Sequence, residues 1–211
     1  MKLVAAKNDD QTGALIAGPR LGLCLDFANT LAGRGSLRVE SLHSFSDMAG
    51  WCRAGDLLSQ AESERLLNWS RTNPVEAVSA FTEAIDLREA IYGIFGHLAS
   101  GRDAEEAHLN RLNRALKEAP ARGAVARIDA GFGWRIERDQ TIAPSLLAPV
   151  VWSAGDLLTG KHLGRVRLCA NHQCLWLFYD DSLRGKRRWC SMQACGNRAK
   201  TQRHYLRRKA Q

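Results

Sequence analysis

The sequence predicts an α+β chain: a predominantly helical N-terminal domain with a small β-hairpin, followed by a small module rich in cysteine. Three observations carry this expectation. Amphipathic runs between residues 44 and 118 open on capping residues and close on Gly or Pro. Around Gly131 and Gly133 the pattern changes to two short alternating runs, a hairpin signal. Four of the six cysteines fall near the C-terminus as two C-x4-C pairs.

Residues 1–18 read as a flexible lead-in. They carry two Lys and a few apolar residues but no apolar core or cleavage site of a secretory signal, so a cytoplasmic location is expected. No apolar run approaches the ~20 residues that span a bilayer, and no membrane partner is expected.

The N-terminal domain is placed at 19–160. "LGLCLDFANTLAGRG" fits helical spacing through Leu21, Cys24, Leu25 and Ala28, and strand alternation through Leu21, Leu23, Leu25 and Phe27. Helix is preferred because Gly33 and Gly35 offer a stop. On a helix Asp26 and Asn29 lie about one turn apart. They are the candidate pocket for a small-molecule effector, although such pairs also hydrogen-bond locally.

Three caps follow. Ser44 with Asp47 opens a helix that ends at Gly55 and buries Trp51. Ser59 with Glu62 opens the next. Asn73, Pro74 and Glu76 open a long helix through Ile85, Ile91 and Leu98 that stops near Gly101. "DAEE" starts another helix at Asp103, which closes before Pro120. "PVVWSAGDLLTG" is a helix with Pro149 in its first turn and Gly160 past its end. The domain has no Gly-rich phosphate loop, nucleophile elbow or His-Glu metal motif, so no enzyme is expected. His43, His97 and His108 stand alone. Cys24 and Cys52 read as small buried hydrophobes.

Residues 161–211 form the second module. They carry a net charge of +11, against −3 for residues 1–160. This asymmetry points to a polyanion, nucleic acid first. In a reducing compartment clustered cysteines are metal ligands more often than disulfides. Cys169, Cys174, Cys190 and Cys195 supply four thiolates, the set of a closed structural zinc site. His172 is an alternative ligand. Four thiolates leave no open position, so the one Zn2+ is structural rather than catalytic.

The expected scaffold is a knuckle at Cys169/Cys174, a hairpin pairing "LWLFYDD" with "KRRWC", and a helix capped by Ser191. Cys190 and Cys195 would meet across that helix start. These parts describe a treble-clef-like zinc finger. On the helix, Met192, Cys195, Ala199, Gln202 and Leu206 share the face expected against the hairpin. Asn197, Lys200, Thr201, His204, Arg207 and Arg208 share the outer one, with Arg203 at its border. Lys186, Arg187 and Arg188 extend the basic patch, along with Arg184. Arg198 projects between the faces and either meets the partner or pairs with Asp180 or Asp181. Trp176 and Trp189 read as core.

"CANHQC" followed by "RRWCSMQACGNRAK" resembles the CGNR zinc-finger family, whose tetrapeptide stands at Cys195, Gly196, Asn197 and Arg198. "LCLDFANTL" resembles the opening of the ABATE domain that accompanies this finger in stress-induced transcription regulators. The resemblance implies the four cysteines as zinc ligands, a treble-clef finger and DNA binding. The expected function is a transcriptional regulator whose finger binds duplex DNA and whose N-terminal domain senses an effector or forms a homodimer. The alternatives are an RNA-binding or protein-docking module, or a nucleic-acid-processing enzyme drawing on Asn171, His172 and Asn197.

Overall fold

Both serine caps are present in the computed structural model, which describes residues 14–17, 20–128, 131–136 and 146–209. Ser44 accepts the backbone N–H of Asp47 at the start of α2 (Phe45–Ala54), and Gly55 ends that helix. Ser59 and Glu62 form a reciprocal capping box at α3 (Gln60–Thr72). Asn73 stands at the predicted N-cap position but serves the other helix. Its side-chain amide donates to the Trp69 carbonyl of α3, while Pro74 opens α4 (Pro74–Ala99). Pro74 has no N–H to satisfy there, so α4 needs one cap bond fewer.

The ambiguous segment is helical but short. α1 (Leu23–Ala28) ends at Asn29, well before Gly33. Gly33 instead turns the chain, at φ 65, between strands β2 (Leu31–Ala32) and β3 (Val39–Glu40). The helix expected from Asp103 begins later, as α5 (Glu106–Glu118). The hairpin is present as β4 (Ala124–Ile128) and β5 (Gly131–Ile136). Part of the predicted lead-in is ordered: Ala14–Ala17 form β1, which pairs antiparallel with β5 and makes it the central strand. Residues 1–13 lie outside the described residues. α6 (Ala148–Thr159) carries Pro149 in its first turn.

α4 is the spine, about 39 Å long at 1.5 Å per residue. α1, α2, α3 and α5 pack on it, and α6 closes over α1 and α5. Phe27, Met48, Ile91, Ile94, Phe95, Leu112, Val150 and Leu157 are fully buried between them. Each such side chain contributes about 1.5–3 kcal/mol. The same cluster takes in Val166 and Leu177 from beyond residue 160. Cys24 and Cys52 are buried in it as expected, and burial pushes the Cys24 thiol up to about 12. No helix among the described residues is long and apolar enough to cross a membrane.

One ion network runs beneath this core. Arg88 is buried and holds Glu40 with two bonds of 2.6 and 2.8 Å. Arg34 grips Glu89 at 2.7 and 3.0 Å and lies 3.7 Å over the Tyr92 ring. Burial disfavours the ionised form of Glu40, but the Arg88 hydrogen bond and charge outweigh it, so the carboxyl sits below its ordinary 4.5. Burial likewise opposes Glu89, and Arg34 followed by Arg88 outweighs it. A carboxyl lowered on folding stabilises above its unfolded value and loses that stabilisation as pH falls through its folded value. Urea midpoints should therefore decline as pH falls below 4.5. Glu40→Gln should flatten the decline while lowering the plateau, because Arg88 is left buried with a weaker partner.

Candidate metal centre and nucleic-acid interface

The cysteine module starts from a short 3-10 turn, Leu163–Arg165, that feeds β6 (Val166–Leu168). β6 pairs antiparallel with β7 (Leu177–Tyr179), so Val166 faces Tyr179 and Leu168 faces Leu177. This corrects the predicted hairpin. "LWLFYDD" pairs backwards with "RVRL", and the "KRRWC" segment is not a strand. The reason lies at Asp180, which is fully buried. Its carboxylate accepts the Ser182 hydroxyl at 2.6 Å, the Ser182 N–H at 3.1 Å and the Arg187 N–H at 2.9 Å. Burial opposes its ionisation, and these bonds outweigh burial, so the carboxyl is held below the ordinary range. They fold residues 180–187 into a loop where a ladder was expected. Ala170 N–H to Arg188 O, 2.9 Å, still ties the "KRRWC" segment to the knuckle.

The tip of the β6–β7 hairpin is the knuckle. Asn171 organises it: its carbonyl accepts Cys174 N–H at 2.8 Å, and its side-chain oxygen accepts Gln173 N–H at 3.1 Å. Leu175 turns the chain at φ 55, and Cys169 N–H returns to Trp176 O at 2.8 Å. Cys169 and Cys174 therefore meet across a tight reversal. The second pair meets across a helix start, as predicted, with one difference. Ser191 caps through Ala194 N–H, but the first turn, Met192–Gly196, is π-helical before α7 (Asn197–Lys209) begins. The wider turn closes through Gly196 N–H to Ser191 O, 3.0 Å.

The four Sγ atoms all lie within 4.8 Å of one another. Cys174 and Cys190 are 3.7 Å apart, and Cys190 and Cys195 are 3.8 Å apart. All four are free cysteines, and these two separations are well beyond the ~2.05 Å of a disulfide. A tetrahedron with metal–sulfur bonds near 2.3 Å has edges of about 3.8 Å, so the set fits one zinc ion. Burial pushes the Cys174 thiol up to about 11. Burial, then the Cys169 and Cys174 sulfurs, raise Cys190 as well. Cys195 is lowered: burial opposes ionisation, but Asn171 and then the other thiols outweigh it through hydrogen bonds. Asn171 Nδ2 donates to Cys195 Sγ at 3.5 Å. A cation at the centre lets all four ionise together.

Other predicted residues sort into two groups. Arg187 is engaged within the module: its guanidinium bonds Trp189 O at 3.0 Å, Cys190 O, and Asp181 at 3.0 Å, and lies 4.9 Å over the Phe178 ring. Lys186, Arg188, Asn197, Arg198, Lys200, Arg207 and Arg208 are exposed. Arg188 stands 5.3 Å over the half-buried Trp189 ring. Asp180 and Asp181 are engaged by Ser182 and Arg187 rather than by Arg198. The side chains of Gln202, Arg203, His204 and Leu206 lie outside the described residues. Of the face expected against the hairpin, Met192 is exposed and Ala199 half-buried. Trp176 is exposed, where core was expected.

Asp26 and Asn29 engage different partners. Asp26 ion-pairs with Arg20 at the surface. Asn29 is buried, and its amide brackets the Leu177 backbone. Nδ2 donates to Leu177 O at 2.7 Å, and Oδ1 accepts Leu177 N–H at 3.0 Å. Three further contacts lash the knuckle to the helical domain. Tyr92 OH donates to Leu175 O at 2.9 Å, and Ser36 Oγ donates to Gln173 O at 3.2 Å. At Gly35 a Cβ would overlap the His172 carbonyl, so only glycine fits. Sequence reasoning missed these roles because each partner lies more than 80 residues away.

The family model described as "ABATE: Putative stress-induced transcription regulator" matches residues 21–161. The model described as "CGNR zinc finger" matches residues 165–208. No curated protein matches the chain.

Proposed function

This chain belongs to the ABATE family and carries a CGNR zinc finger, and on that premise we propose that it is a transcriptional regulator whose finger binds nucleic acid, duplex DNA first. One observation carries the reading. A closed four-thiolate centre anchors a helix whose described Lys and Arg side chains are all exposed, within a segment of net charge +11. Structural zinc contributes folding energy here and presents the surface. Exposed Arg and Lys are the groups that meet phosphates and fix register on a duplex.

The N-terminal domain takes the sensing or dimerising part. Val125 and Phe132, exposed on the β4–β5 sheet, support a homodimer contact. A cytoplasmic setting keeps the four thiols available for zinc.

The test is binding of a labelled duplex to the zinc-loaded protein across about 50–200 mM salt. The logarithm of affinity should fall linearly with that of salt, by about 0.9 per phosphate neutralised. Charge reversal at Arg207 and Arg208 should weaken binding on every sequence and shallow the slope. Absence of salt-sensitive binding to any nucleic acid would sink the reading.

A further inference from the structure

An open cleft of about 470 Å³ separates the knuckle from α7. The knuckle lines it with Asn171, His172 and Gln173, the helix with Arg198 and Tyr205, and Trp189 joins the two sides. None of these is a metal ligand. The cleft therefore gathers two aromatic rings, a guanidinium and several polar side chains.

The surroundings narrow its ligand. Arg188 flanks the Trp189 ring at 5.3 Å, and Lys209 Nζ flanks the Tyr205 ring at 5.3 Å. Tyr205 is 57% exposed, and Arg198 is exposed beside it. A ligand with a flat π face and an attached negative charge matches this set. The basic surface extends beyond the cleft through Lys186, Arg188, Arg207 and Arg208, more charge than a single phosphate needs. That favours a strand of nucleotides. In a duplex each base face is covered by its neighbours, so only an unstacked base can enter between side chains.

We propose that this cleft receives an unstacked base of single-stranded nucleic acid, stacked on Trp189 and Tyr205, with Arg198 on the adjoining phosphate. The Asn171 amide is already bonded to Cys195 Sγ and Gln173 N–H, so His172 and Gln173 present the free polar groups to the base edge. This rests on the nucleic-acid reading above and adds to its duplex contact a separate single-strand mode at this cleft.

The test is fluorescence anisotropy on the full zinc-loaded chain with labelled single-stranded DNA, single-stranded RNA and the matching DNA duplex. Tyr205→Ala should weaken single-strand binding by about ten-fold, the loss of one stacked base. Duplex binding should stay unchanged, and Tyr205→Phe should restore the single-strand affinity. Equal loss on single strand and duplex, or no loss on either, overturns the cleft proposal and leaves the nucleic-acid reading standing. Displacement of the single strand by a phosphotyrosine peptide at equal concentration also overturns it. Failure of every probe to bind the wild-type protein overturns both. Because Tyr205 is exposed, loss of the fold is not expected, and an unchanged melting temperature checks this.

Discussion

Removing the zinc is expected to lower the melting temperature of the whole chain by about 10 °C, not merely to release its C-terminal helix. Apparent zinc affinities of small fingers correspond to about 10–16 kcal/mol at neutral pH. Even a third of that is about 4 kcal/mol, which shifts the midpoint of a chain of this size by about 8–16 °C. The loss should spread because the knuckle is bonded to the helical domain through Tyr92 and Ser36, and the strand that follows it through Asn29. Thermal scans by circular dichroism, with and without chelator and for Cys195→Ala, test this beside metal analysis of the same samples. Cys174 and Cys190 are raised in the metal-free protein, so both hold protons at neutral pH and release them on zinc uptake. Apparent zinc affinity should therefore weaken as pH falls. A chelated protein that keeps its midpoint and loses only a separate helical signal would show that zinc supports the tail alone.

Asn29→Ala is expected to destabilise the fold by about 2–5 kcal/mol. Leu177 is fully buried, and the substitution strips partners from both its N–H and its carbonyl. Each buried group left unpaired costs about 1–3 kcal/mol. Asp26→Ala, three residues away, should stay within about 0.5 kcal/mol, because its pair with Arg20 is exposed. Urea unfolding of the two variants gives a direct contrast. Equal effects would mean that the Asn29–Leu177 bracket adds nothing beyond a surface pair.

That contrast also marks what could be read from the sequence. Ser44 and Ser59 were legible because each acts on groups within a few residues, and the four cysteines because each C-x4-C pair is local and the residue type itself names the chemistry that joins the pairs. Asp26 and Asn29 looked equivalent for the same reason: nothing local distinguishes an amide aimed at a strand 148 residues on. The finger hairpin failed similarly. "RVRL" and "KRRW" are both plausible partners for "LFY", and the choice was made by Asp180 binding the Arg187 N–H. β1 was missed because "ALIA" is short and its partner strand lies near residue 134. The cleft beside α7 was invisible because the knuckle and the helix that line it are about 20 residues apart and meet through the clustered cysteines and the Asn171–Cys195 bond.

Leu177 and Val166 belong to the same buried cluster as Phe27 and Ile91. A finger built this way is not a cassette. Cutting the chain after residue 160 would open an apolar slot along α1 and α4, and the excised piece would carry its half of that slot into water. Dissection by truncation would then report damage to both fragments as if it were division of labour. Side-chain substitutions on the outer surface of α7 are the sounder way to separate what the protein holds from how it is held.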